Sequence, residues 1–400
     1  MVALGSADGR YVIRPWNFSC GGVLIDKQWV LTAAHCVQEK LLDDLEVAIG
    51  LNDVGTGMRF ARTKIDQVIM HEAYRRQVLG NLGRKLGGTD YDLALLHLES
   101  PSKNTPITMG SEEDAVERRQ LTAWGYGYDG QTVQPGQDLP HRGLKQLAMK
   151  SAGVVDLWYK RSIHTTNLFA GGVMGEDVCP GDSGSPLTDA NGRLQGIASF
   201  SSDPCGQKGV PAAFSFVLQP ELAAWIQQRP TDISISNHQL VSLEQNEPRW
   251  VGVNLFNPTT ESIDIDLANI DADTREAPQN ECPPTLAPGT SCQVKVLVGN
   301  VTPEQPYTQS HLKVTVIKKN GISQRLEATV VGKLKGTTPM ITPPPASTPT
   351  AGSDSSGGGS TGAGALMALL SLLCIRRLSP WSVAQESPHK ALRPAPETRT

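Results

Sequence analysis

The sequence predicts an all-β protein built in two modules, on three observations. Short apolar runs recur between Gly, Asp and Asn turns from Phe18 onward. Residues 232–334 alternate apolar with polar positions. The 39 glycines and 28 prolines, with only 5% aromatic residues, suit a loop-rich β chain better than a helical one. Four hundred residues leave room for two or three domains. With 36 basic and 40 acidic residues the net charge is −4, which offers nothing to a nucleic-acid partner. The seven cysteines fall as four, two and one along the chain, a pattern that suits disulfides in an oxidising compartment.

Met1-Val-Ala-Leu4 reads as the middle of a strand, not as a basic region followed by a long apolar run, so no export signal is visible. A start some tens of residues further upstream is expected. Gly22-Val-Leu-Ile25 and Trp29-Val-Leu31 read as a strand pair around Asp26-Lys27. Val47–Ile49, Ile65–Met70, Leu93–Leu98, Leu121–Trp124, Gly196–Phe200 and Ala213–Val217 continue a series whose spacing reads as a barrel or sandwich. Leu222-Ala-Ala-Trp-Ile226 reads as a terminal helix.

Pro230 marks a change of module. Ile233–Ile235, Val251–Leu255, Ile263–Leu267, Gln293–Leu297 and Leu312–Val316 are period-two runs, and about seven strands in about 100 residues suit an immunoglobulin-like sandwich. Cys282 and Cys292 are expected to close a loop beside it, and no ligand-spaced cluster of His or carboxylates marks it, so it reads as a spacer or binding module. Residues 336–362 are a Thr/Pro/Ser/Gly-rich linker without a core. An apolar segment, 363–377, ends in Arg376-Arg377 and is too short to span a bilayer comfortably, and residues 378–400 read as a disordered tail.

The chemistry centres on Asp177-Val-Cys-Pro-Gly-Asp-Ser-Gly-Ser-Pro-Leu187. A Ser between Asp and Gly, on a turn relieved by Gly181 and Gly184, presents a hydroxyl to a carbonyl, with the Gly181 and Ser183 amides placed for an oxyanion. Upstream lie Leu31-Thr-Ala-Ala-His-Cys36 and Asp90-Tyr-Asp-Leu-Ala-Leu-Leu96. A serine hydroxyl needs a base to take its proton and a carboxylate to orient that base, and His35, Asp92 and Ser183 supply the three. His71 and His97 have no nucleophile-like neighbour in sequence and read as ordinary surface or strand residues.

The order His35, Asp92, Ser183 is that of chymotrypsin-like proteases and differs from those of subtilisins and α/β-hydrolases. Over roughly its first 230 residues the chain resembles the trypsin/chymotrypsin family. The resemblance implies a double six-stranded β-barrel for residues 1–230, followed by the immunoglobulin-like sandwich of 231–335. It implies Cys20–Cys36 and Cys179–Cys205 disulfides, while Phe169 stands where a third bridge would begin, leaving the loop before Asp177 less constrained. It places Asp177 at the base of the substrate pocket, with Ser199, Ser201 and Ala212 as further substrate-binding residues, the last two where Gly is usual. Arg or Lys of a protein or peptide is the implied partner for that charge. Ser185 replaces another common Gly.

In the family Asp182 pairs with an amine released by an activating protease, an amine that a chain opening at Met1 does not supply. The expectation is a longer precursor that becomes active on processing. No acidic loop matches the family's calcium site, so neither metal nor cofactor is expected. The glycine cluster, apolar run and arginine pair resemble the GlyGly-CTERM tail of secreted and surface proteins of Gram-negative bacteria, implying export and transient or anchored membrane contact. The rival reading is a catalytically inactive protease-like surface protein acting in adhesion.

Overall fold

A computed structural model describes residues 1–6, 17–54, 61–75, 90–111, 119–127, 143–153, 166–202 and 204–337. Residues 1–344 form one compact unit and 345–400 another. Almost all of the linker, the apolar segment 363–377 and the tail 378–400 lie outside the described residues. Among the described residues no helix is long and apolar enough to cross a membrane.

The first barrel comprises β1 (Val2–Ser6), β2 (Asn17–Leu24), β3 (Trp29–Thr32), β4 (Leu45–Ile49), β5 (Thr63–Met70) and β6 (Ala94–Leu98). They close in the order β1-β2-β3-β6-β5-β4. β3 and β6 are buried along their whole length, as their unbroken apolar runs demand, and pair from Trp29↔His97 to Thr32↔Ala94. The second barrel comprises β7 (Gln120–Gly125), β8 (Lys145–Gly153), β9 (Asn167–Ala170), β10 (Pro186–Thr188), β11 (Leu194–Phe200) and β12 (Ala212–Phe216), closing as β10-β11-β12-β9-β8-β7. The two barrels share one hydrophobic core. Closure pairs most of the strand edges within each barrel, which suits a chain of such short strands.

A helix over Pro220–Gln228 follows, started by Pro at its first turn and by the Gln219 side chain, which accepts from Leu222 N at 3.0 Å. Leu222, Trp225 and Ile226, spaced three and four apart, form its buried stripe.

Residues 233–334 form two sheets over a single core. One holds β13 (Ser234–Ile235), β15 (Arg249–Asn257), β19 (Thr290–Val298) and β17 (Gln279–Asn280) in that order. The other holds β14 (His238–Leu243), β21 (Ser323–Leu334), β20 (Tyr307–Ile317), β16 (Ile263–Ala272) and β18 (Thr285–Leu286), with β14 parallel to β21. Nine strands stand where periodicity alone marks about seven, because β17 and β18 are two-residue pieces too short to show a period. Cys282–Cys292 ties the turn after β17 to β19.

The two-sheet module is joined to the first barrel by a buried polar seam. β5 pairs with β4 only at Glu46↔Lys64 and Val47↔Thr63, so its later residues need another partner. The segment entering the module supplies it: Val68 N donates to Ser236 Oγ at 3.2 Å and Asn237 N to Val68 O at 3.1 Å. Across the seam Gln67 Nε2 donates to Asn254 O at 3.1 Å, and Asn254 Nδ2 to Asp66 O at 2.6 Å. These hydrogen bonds tie the module directly to the first barrel.

Candidate active site

His35 lies in a short 3-10 turn, Ala34–Cys36, that directly follows β3. The Cys20–Cys36 disulfide ties that turn to β2. Asp92 sits just before β6, and its side chain is only 1% exposed. His35 Nδ1 faces Asp92 Oδ2 at 2.7 Å, and the His35 main-chain N–H donates to Oδ1 at 2.9 Å. Ser199 Oγ donates to Oδ2 at 2.6 Å, and Ser215 Oγ donates to the Asp92 carbonyl at 3.1 Å. A carboxylate this deep survives only with such a set of donors.

Burial works against ionisation of Asp92, yet the charge of His35 and the hydrogen bonds from His35 and Ser199 outweigh it and hold the pKa below the ordinary value. Burial likewise disfavours the His35 cation, but the charge and hydrogen bond of Asp92 prevail and raise its pKa. The carboxylate fixes the proton on Nδ1 and leaves Nε2, 3.8 Å from Cys36 Sγ, as the basic nitrogen.

Ser183 occupies a tight turn between Cys179 and Ser185. Its carbonyl accepts from Gly21 N at 2.7 Å, next to the Cys20–Cys36 bridge and hence beside the His35 turn. Ser183 Oγ makes no hydrogen bond to His35, and neither the Gly181 nor the Ser183 N–H donates to a protein acceptor among the described residues. Gly181 has φ of 100° and Gly184 of 80°, and a Cβ on Gly184 would lie 2.4 Å from Gly21 O, so glycine is required there. The Asp182 carboxylate shapes the turn from within: Oδ1 accepts from Gly127 N at 2.7 Å and Oδ2 from Cys179 N at 3.0 Å. Gly125 and Gly127 are what admit it, since a Cβ on either would collide with its oxygens. Sequence reading missed these two glycines. Ser185 is buried with its Oγ unpartnered, which is the cost of a hydroxyl where glycine is common.

Asp177 is 9% exposed. Its Oδ1 accepts from Val178 N at 2.9 Å, and its Oδ2 from Ser202 Oγ at 2.7 Å and Gly206 N at 2.9 Å. Cys179–Cys205 ties this segment to the loop that carries Gly206. Ala212 is fully buried in β12 opposite Ala170, and Ser201 Oγ reaches only Ser202 O at 3.4 Å. Ser199, grouped by sequence with the substrate-binding residues, turns its hydroxyl onto Asp92.

Two local expectations change. The loop before Asp177 is held without a third bridge: Gly172 N donates to Glu176 O at 2.8 Å, Gly209 N to Gly172 O at 2.6 Å, and Met174 N to Glu176 Oε2 at 2.8 Å. Phe169 fills the vacated position by packing edge-on against Phe200 at 6.5 Å. Of the two readings given to these histidines, surface or strand, His97 takes the second, within β6, and both His71 and His97 are buried. His71 stacks on Tyr91 at 4.6 Å, and His97 Nδ1 lies 2.6 Å from Asp66 Oδ1. Cys20, His35 and Cys36 form the one cluster of ligating type among the described residues, but both sulfurs are spent in a disulfide, which leaves no thiolate for a metal.

A double barrel that sets a paired imidazole and carboxylate beside an Asp-Ser-Gly turn defines a serine-hydrolase class. The comparisons narrow it. The trypsin family model matches residues 5–226, and the chain belongs to that family. It is 32% identical over 213 residues to a factor V activator of Macrovipera lebetinus, covering 52% of this chain and 76% of that protein. A renal glandular kallikrein of Mastomys natalensis is 32% identical over 230 residues, covering 53% and 84%. The solved structure of the Vibrio cholerae VesB protease matches with a TM-score of 0.57 at 18% identity, over 83% of this chain and 95% of that one. Vibrio cholerae VesC, titled a secreted serine protease, matches with 0.57 at 20%, over 83% and 68%. Both likenesses concern fold, and both extend beyond the two barrels. The protein is a trypsin-like serine endopeptidase, a hydrolase acting on protein or peptide substrates.

Proposed function

We propose that this endopeptidase cleaves peptide bonds after Arg or Lys by an acyl-enzyme route. The Asp92–His35 pair, with the carboxylate held by three donors, is the observation that carries the reading. Ser183 Oγ bonds to the substrate carbonyl carbon as His35 Nε2 takes its proton, and the Gly181 and Ser183 amides receive the oxyanion. The C–N bond then breaks as His35 returns the proton to the leaving amine. Water, deprotonated by the same nitrogen, frees the acid and restores Ser183. Asp177 is the counter-charge for the substrate's basic side chain, with Ser201 and Ala212 narrowing the slot.

Residues 1–230 form the catalytic domain and 231–335 an immunoglobulin-like sandwich, supported by two mainly antiparallel sheets over one core. Three disulfides support secretion to an oxidising exterior. Asp182, seated against Gly125 and Gly127, is the partner for an amine released when another protease activates the enzyme. The segment 363–377 is assigned to sorting at the surface of a Gram-negative cell.

Hydrolysis of Arg- and Lys-ending peptide esters, with fluorophosphonate labelling, tests this on the chain, on Ser183→Ala and on a proteolytically processed form. Turnover and labelling lost in Ser183→Ala are expected. Absence of both from every form overturns the catalytic reading in favour of a binding role.

A further inference from the structure

We propose that Tyr91 is the positioning residue for Asp92, and that the C-terminal module takes part in the active site by holding the histidine on which Tyr91 rests. The inference rests on the serine-protease reading, but its test does not depend on turnover.

Tyr91 directly precedes Asp92 and has φ of 59°, a left-handed conformation that a bulky side chain adopts only when its surroundings impose it. Three contacts impose it. The ring stacks on His71, with centroids 4.6 Å apart and planes at 16°. The phenol donates to Glu221 Oε2 of the terminal helix at 3.0 Å. The main-chain N–H donates to Thr166 Oγ1 at 3.3 Å, and that hydroxyl donates to Asp90 Oδ1 at 2.8 Å. Leu93 N then donates back to Tyr91 O at 2.7 Å, closing a three-residue turn with Asp92 at its apex. The direction in which the carboxylate leaves the backbone is therefore set by where the Tyr91 ring is seated.

That seat is His71. Its N–H donates to Leu93 O at 2.9 Å, and its ring lies 5.1 Å from that of Trp225. Its chain neighbour, Met70, is gripped from the opposite side by Asn237, which accepts from Met70 N at 2.9 Å and donates through Nδ2 to Met70 O at 2.8 Å. Asn237 is buried, and its own carbonyl accepts from Thr329 N of β21 at 3.1 Å. One amide side chain thus does the work of a missing edge strand and anchors the end of β5 to the second sheet of the C-terminal module. From β21 to Asp92 every link is a hydrogen bond, a ring stack or a peptide bond, and the strained residue stands at the end of the line.

The test uses the full chain and two readouts: the titration of the His35 imidazole by NMR, and kcat and KM on an Arg ester. Besides Asp92, the titratable groups around this region include Tyr74 and Glu39 on the His35 side and Asp90, His71, Glu72 and Glu221 around Tyr91. Histidines other than His35 are assigned by single replacement. Tyr91→Ala and Asn237→Ala are expected to lower kcat about ten- to hundredfold, with KM within about twofold, as for a carboxylate displaced by a fraction of an ångström. In both, the His35 titration moves down toward that of a free histidine. Tyr91→Phe, which keeps the stack, stays within about threefold of the parent. Should Tyr91→Ala fail to fold, Tyr91→Asn takes its place, since asparagine accepts the left-handed backbone without the ring. A folded Tyr91→Ala or Tyr91→Asn with unchanged His35 titration overturns the role of Tyr91. An unchanged Asn237→Ala overturns the part given to the C-terminal module. If no form of the protein, processed or not, turns over an ester, the protease reading fails, and the titration still decides the positioning of Asp92.

Discussion

Ser199 Oγ donates to Asp92 Oδ2 at 2.6 Å, the same oxygen that faces His35 Nδ1 at 2.7 Å. The second barrel thereby holds the carboxylate that the first barrel presents to the imidazole. Ser199→Ala removes one donor from a buried anion, a loss of about 1.5–3 kcal/mol. The expected outcome is a lower melting temperature and a kcat/KM reduced about tenfold with KM little changed. Equal stability and rate in the variant would show the bond to be idle.

The raised pKa of His35 sets the acid limb of the pH profile. The base works as the neutral ring, so kcat/KM falls below a pH that lies above the free-histidine value of about 6.5. The stability contributed by the raised His35 pKa is full below the unfolded value and is lost as pH rises through the folded one. For Asp92, whose pKa is lowered, stability is present above the unfolded value and lost as pH falls through the folded one. Asp92→Asn should move the acid limb down and cut kcat by about 10⁴, as expected when the wrong tautomer is favoured. A limb that stays in place would separate Asp92 from the titration of His35.

In the proposed function Asp177 is the charged group of the substrate pocket. Asp177→Ser keeps a small polar side chain for Val178 N and Gly206 N but removes the charge. Cleavage after Arg or Lys is expected to drop by about two orders of magnitude or more, since the basic side chain would be desolvated without a partner. Peptides with apolar residues at that position should lose far less. Unchanged turnover of Arg esters would take Asp177 out of the pocket.

Acid should loosen the joint between the barrels and the C-terminal module through His238. Burial, with the nearby charge of Arg75, pushes its pKa down to about 4 despite the bond between Nε2 and Gln38 O at 2.9 Å. The folded state excludes a proton that the unfolded state binds below about 6.5. Stability is therefore present at neutral pH and falls between about 6.5 and 4, by about 3 kcal/mol from this residue. Urea midpoints across that window should decline in the parent and less steeply in His238→Gln. Parallel slopes would assign the acid sensitivity elsewhere.

Much of this architecture can be read along the chain. Strands such as Val251–Leu255 and Leu312–Val316 announce themselves because one face is buried and the other wet, and that difference is written at every second residue. The helix at Pro220–Gln228 shows its stripe for the same reason. His35, Asp92 and Ser183 are legible from motif and order, since each sits in a short local segment with its own residue pattern.

What only the tertiary structure decided are relationships between residues far apart that leave no local mark. Ser199 meets Asp92 across 107 positions, Gly127 meets Asp182 across 55, and Gln67 meets Asn254 across 187. A hydroxyl or amide carries the same signature in sequence whether it faces water or completes a buried anion. Tyr91 likewise reads as an ordinary aromatic until His71 and Glu221 close around it. The sequence by itself determined the class of fold and pointed to the proposed reacting groups, because periodicity and turn chemistry are local. Folding decided which polar atoms satisfy one another, because burial makes each unpaired atom costly and only the packed barrels bring its partner within reach.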